Sequence, residues 1–82
     1  MTYGILFERI DEPGFPPGCY YAHVPSLGLT THGEGIEGAR TAARDLVRLW
    51  VAEKQANGEA VPHPAETFYS TLEVNEDALQ GA

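Results

Sequence analysis

Three histidines, His23, His32 and His63, and one cysteine, Cys19, are the side chains of this sequence best suited to hold a metal ion. Cys19 and His23 stand four apart, which on a strand puts them on one face. The paired close spacings of a zinc site are missing, so no metal ligand is assigned. Ser26 and Ser70 are available hydroxyls, but neither sits in a nucleophile-elbow pattern. The glycines of GLTTHGEG, residues 28–35, do not cradle a phosphate, because no Gly-Lys-Ser/Thr closes the segment. Glu8 and Glu73 are solitary on their expected strands, and the other carboxylates outside the central helical segment fall in turns or in the C-terminal stretch. A carboxylate pair for acid–base or metal chemistry is therefore lacking. No residue takes a catalytic role, and neither an enzyme nor a cofactor is expected.

Charge offers more. The formal net charge is −7, and residues 59–82 carry Glu59, Glu66, Glu73, Glu76 and Asp77 with no Lys or Arg. Four of the five basic groups, Arg40, Arg44, Arg48 and Lys54, lie in the central segment, where Glu37, Asp45 and Glu53 largely balance them. Arg40, Arg44 and Arg48 form an i, i+4 stripe, which with those acids reads as a solvated helix face. Most of such a surface repels a phosphate backbone, so direct nucleic-acid binding is not expected. A basic protein partner is another matter, because an acidic surface speeds its approach. Glu8, Asp11, Glu12, Glu66 and Glu73, with Tyr69 as an aromatic anchor, are the candidate partner-binding residues.

Eighty-two residues make one domain, expected over 1–74 with a flexible tail over 75–82. A chain this short buries only about 60% of its unfolded surface, so association would add to its stability. No apolar run approaches the ~20 residues of a membrane span, and the N-terminus has no signal-peptide basic region. A lone cysteine fits a reducing compartment, and the cytoplasm is the expected location.

The elements that must position these groups follow from periodicity. Thr2 to Ile10 reads as a strand with Tyr3, Ile5 and Phe7 on one face. DEPGFPPG, residues 11–18, forces a reversal. Cys19 to Val24 alternates Tyr20, Ala22 and Val24 against Cys19, Tyr21 and His23, and Pro25 ends it. Leu27 to His32 reads as a third strand. From Ile36 the apolar positions Ile36, Ala39, Ala43, Leu46, Val47, Trp50 and Val51 make one helical stripe, with Gly35 as the expected N-cap and Trp50 in the core. Asn57-Gly58 stops the helix and Pro62 and Pro64 prevent its resumption. Thr67 to Val74 reads as a fourth strand, with Phe68, Leu72 and Val74 sharing a face. The expected fold is a two-layer α+β domain of order βββαβ.

One helix covers one face of such a sheet, yet both faces carry apolar or aromatic groups. Tyr21 and Tyr69 fall on the parity opposite their strands' most aliphatic sets. A second copy covering that face or an edge is the expected solution, making a homodimer with Tyr21 and Tyr69 at the contact.

In order and spacing the chain resembles the HicB family of small antitoxins. Pro25-Ser26-Leu27 matches the family's Pro-x-Leu turn after strand two, and Gly33-Glu34 stands at its Gly-Asp helix start. Ala39, Ala43 and Leu46 match the helix face, while Gly58-Glu59, Val61-Pro62 and Pro64 match the exit. Gly28-Leu29-Thr30 departs from the usual Pro-Gly-Cys, Gly35 replaces a Thr or Ser cap, and Gly38 replaces a frequent Glu. The resemblance covers about three quarters of the chain, from Tyr3 to Pro64.

The resemblance implies a cut-down ribonuclease-H-like βββαβ fold without that enzyme's acidic metal site. It also implies a partner: a small basic HicA-like toxin with a double-stranded-RNA-binding-like fold that cleaves messenger RNA. Longer members add a DNA-binding segment, and the expectation here is a stand-alone module without one. Two alternatives stay open at this stage: a metal-dependent ribonuclease-H-like remnant enzyme, and an orphan structural dimer with no toxin.

Overall fold

A computed structural model describes residues 1–76. Three antiparallel strands, β1 (Leu6–Arg9), β2 (Cys19–Val24) and β3 (Leu29–Glu34), form a sheet in that order, and one long helix, α1 (Gly35–Ala56), packs across it. The two-layer α+β arrangement is as the sequence predicts, in the order βββα.

The register explains the strand ends. Leu6 pairs with His23 and Arg9 with Tyr20. Pro25 turns the chain after Val24 into a short 3-10 turn, Pro25–Leu27, so residues before Ile5, which falls opposite Val24 in this register, have no opposite number on β2. β1 is therefore shorter than the Thr2 to Ile10 run. The same turn uses Leu27, which shifts β3 two residues beyond the Leu27 to His32 expectation, and Cys19 then pairs with Glu34.

Alternation sorts the strands as the sequence predicts. Ala22 and Val24 are buried against Ala39 and Ala43, with Tyr3, Ile5, Phe7, Tyr20, Leu27, Leu29 and Val47 packed around them. The core is thin: among the described residues no large side chain is fully buried. Small residues let the helix come close, and Gly33 is the tightest point. A Cβ there would lie 2.5 Å from the Gly38 carbonyl, so strand and helix backbones nearly touch. At the far end Gly58, at φ +70°, closes the helix, with its N–H on Gln55 O at 3.1 Å and the Glu59 N–H on Lys54 O at 2.9 Å.

Three expectations are corrected. The residue flanking the helix start is Glu34, and Gly35 is already its first helical residue. The Glu34 side chain makes no capping bond; the Gly35 N–H bonds instead to Gly18 O at 2.8 Å, so a strand-turn carbonyl takes an otherwise orphaned donor. Trp50 lies half-buried at the margin, with the Lys54 ammonium 5.3 Å over its ring, because the sheet is too narrow to reach that far along the helix. Finally, Thr67 to Val74 forms no strand. Its side chains suit a strand, but a strand needs backbone partners. No ladder bond joins this segment to the free edge of β1 among the described residues. Of the expected tail, residues 77–82 lie outside the described residues.

Candidate functional site

The face of the sheet turned away from α1 gathers polar side chains around two apolar ones, Leu6 and the buried Cys19. β1 contributes Leu6 and Glu8, β2 contributes Cys19, Tyr21 and His23, and β3 contributes Thr30 and His32, set side by side by the register. Opposed residues on adjacent strands are close enough for their side chains to interact.

Two connected groups result. In the first, the Tyr21 hydroxyl donates to both carboxylate oxygens of Glu12, at 3.1 and 3.2 Å. Phe15, delivered by the β1–β2 loop, stands edge-on to Tyr21 with centroids 6.0 Å apart and edge-on to His32 at 5.2 Å. These separations and angles suit aromatic pairs. Burial pushes the Tyr21 phenol above its ordinary value, and the negative charges of Glu12 and Glu8 push it the same way.

In the second group His23 bridges two strands. Its Nε2 lies 3.0 Å from Glu8 Oε1 and its Nδ1 2.9 Å from Thr30 Oγ1. A carboxylate only accepts, so Nε2 carries a proton, and the Thr30 hydroxyl serves Nδ1. The Tyr21 and His23 rings, 5.7 Å apart, join the two groups into one acidic, aromatic surface. Beside it Leu6, Phe7, Glu8, His23 and Tyr69 line a hollow of about 420 Å³.

The structure brings Glu8, Glu12, Tyr21 and Tyr69 to this region. It treats the other candidates differently. Asp11 lies 3.6 Å from Arg9 and Glu59 3.3 Å from Lys54, so neither is free of basic neighbours as the charge map suggests. Glu66 and Glu73 are exposed on the Thr67 to Val74 stretch and its root, and no hydrogen bond or ion pair ties them to the sheet-face cluster.

Among the described residues no three His, Cys, Asp or Glu side chains are grouped to hold a metal ion. The Cys19 thiol is buried, and His23 is engaged by Glu8 and Thr30. Ser26 has a structural role: its Oγ accepts the Ala65 N–H at 3.2 Å.

Phe15 is the residue that sequence reasoning passed over. Its loop of prolines and glycines reads only as a reversal, and nothing in periodicity places a loop ring over Tyr21. The His23 bridge was equally hidden, since it depends on a register that sets Thr30 opposite His23.

No helix among the described residues is long and apolar enough to cross a membrane. No family model, no curated protein and no solved structure matches this chain.

Proposed function

We propose that this chain is an antitoxin-like, non-enzymatic binding module of the cytoplasm that masks a small basic mRNA-cleaving toxin. The observation that carries the reading is the uncovered sheet face, where Glu8 and Glu12 flank the rings of Tyr21 and Phe15 with no Lys or Arg among them. Carboxylates at the rim draw a cationic partner in and set the salt dependence of its approach. Aromatic rings supply the area that holds it. A Lys or Arg of the partner meets both a carboxylate and a ring edge or face here, a combination stronger than either alone. The motif order from Pro25 to Pro64 supports a toxin as that partner.

The same reading includes self-association, for which the thin core is the support. A chain whose described residues include no fully buried large side chain gains disproportionately from a second copy.

The test uses the product of a short basic reading frame adjoining the gene. The two proteins are expected to co-purify, and this chain to suppress mRNA cleavage by its neighbour at one-to-one stoichiometry. Substituting both Glu8 and Glu12 by Lys is expected to slow association, with the loss shrinking as salt rises. A neighbour that neither binds nor cleaves, or an association rate indifferent to these charges, refutes the reading.

A further inference from the structure

Beyond the sheet face the molecule carries a second unsatisfied pair of surfaces. The stretch from Thr67 to Val74 is an arm exposed along its length, its apolar side chains in solvent: Phe68 is 79% exposed, Tyr69 78%, Leu72 88% and Val74 51%. On the helix side of the β1 edge runs an open groove, two adjoining hollows of about 380 and 310 Å³. Its floor is Tyr3, Ile5, Ala43, Val47 and Val51. We propose that each copy of a dimer lays this arm into the groove between β1 and α1 of the other. The proposal deepens the self-association stated above and rests on it.

Charge favours this match. Arg44 and Arg48 stand on the groove rim and make no ion pair among the described residues. The arm and its root bring Glu66 and Glu73, equally unpaired and with no Lys or Arg between them. Apolar side meets apolar floor while carboxylates meet guanidinium groups.

The arm does not fill its own groove, and its root shows why. The Tyr3 hydroxyl donates to Pro62 O at 2.9 Å, the Ala65 N–H is held by Ser26, and Thr67 packs on Gly4. Pro62 and Pro64 stiffen this approach. Beyond that root the whole arm lies open: Tyr69 borders the hollow beside Glu8 and His23 and is still largely exposed, as are Phe68 and Leu72. Because every copy carries both arm and groove, one two-fold operation satisfies both at once.

The experiment uses the full chain with Cys19→Ala. Ser70→Cys, on the apolar side of the arm, is made in one preparation. Arg44→Cys or Ala52→Cys, on the groove rim, is made in another. On mixing and mild oxidation, a disulfide between the two preparations, migrating at twice the chain mass on a non-reducing gel, is the expected result. Phe68→Asp with Leu72→Asp is expected to raise the dimer dissociation constant more than about tenfold. A doubly substituted chain (Ser70→Cys with Arg44→Cys) that closes within one monomer overturns the exchange. So does a dimer that neither cross-links nor responds to the arm substitutions, which leaves self-association standing through another surface. A wild-type chain that stays monomeric in light scattering at high micromolar concentration overturns both.

Discussion

The closest approach in the molecule makes the sharpest prediction. A methyl group on Gly33 would sit 2.5 Å from the carbonyl carbon and oxygen of Gly38 and 2.6 Å from the Ala39 nitrogen. All three are backbone atoms, so no side chain can swing aside. Relief requires α1 to lift from β3 by about 1 Å, which forfeits a quarter to a half of the contact energy beneath it. The buried Ala39 and Ala43 lie directly in that contact. Overpacking of this kind costs about 1–3 kcal/mol. An 82-residue domain holds only about 4–12 kcal/mol in total. With a urea dependence near 1 kcal/mol/M for so small a chain, the Gly33→Ala midpoint is expected to fall by about 1–3 M. Gly38→Ala is the internal control, because a Cβ there meets its nearest neighbour at 3.7 Å, an ordinary contact. Inside a helix that change gains up to ~1 kcal/mol, so its midpoint is expected to rise. The two substitutions differ by one methyl each, on facing backbones, and should move stability in opposite directions. A Gly33→Ala midpoint at or above wild type would show that helix and strand are not seated as described.

Three further outcomes are expected. In a spectrophotometric alkaline titration Tyr21 ionises above the ordinary range of a phenol; Tyr21→Phe removes that late step and Glu12→Gln brings it down. Because the raised value favours the protonated phenol in the folded state, its contribution to stability is complete below pH ~10 and disappears as pH climbs through the folded value. His23→Ala, which strips Glu8 and Thr30 of their shared partner, is expected to cost no more than about 1 kcal/mol by denaturant melt, the bridge being half-exposed; a loss of several kcal/mol would mark the site as buried instead. RNA and RNA–DNA hybrids incubated with the protein and magnesium or manganese are expected to stay intact; cleavage that an acidic-residue substitution abolishes would restore the remnant-enzyme alternative.

The fold was legible wherever one face of an element was buried. The helix declared itself through the three-and-four spacing from Ile36 to Val51, and β2 through a strict alternation whose bounds, Cys19 and Val24, match the sequence expectation. Both signals come from burial against a single neighbour layer, the property that periodicity records. The elements misjudged were those whose limits depend on a partner elsewhere. β1 cannot run back to Thr2 because β2 ends at Val24, and β3 begins late because Leu27 is used by the turn. Thr67 to Val74 has a strand's composition without a strand's hydrogen bonds, a distinction its own residues do not encode.

The candidate site was less legible for a related reason. The acidic excess could be counted from the sequence, but counting does not say which acids are neutralised. Asp11 is two residues from Arg9 and Glu59 five from Lys54, and only chain direction decides that these pairs meet while Glu66 and Glu73 meet no cation among the described residues. Parity placed Tyr21 and His23 on the uncovered face correctly; the aromatic cluster needed Phe15, whose place is set by a loop without periodicity. The consequence is a division of labour between surfaces. On the proposed function the face away from the helix, joining carboxylates to rings, takes a cationic partner, whereas the groove beside the helix, joining an apolar floor to arginines that make no ion pair among the described residues, takes the acidic, apolar arm. Opposite charge on the two surfaces means that raising salt should weaken both contacts. Charge reversal at Glu8 and Glu12 should spare self-association, and reversal at Glu66 and Glu73 should spare the basic partner. Loss of both contacts from either pair of substitutions would show that the two surfaces are one.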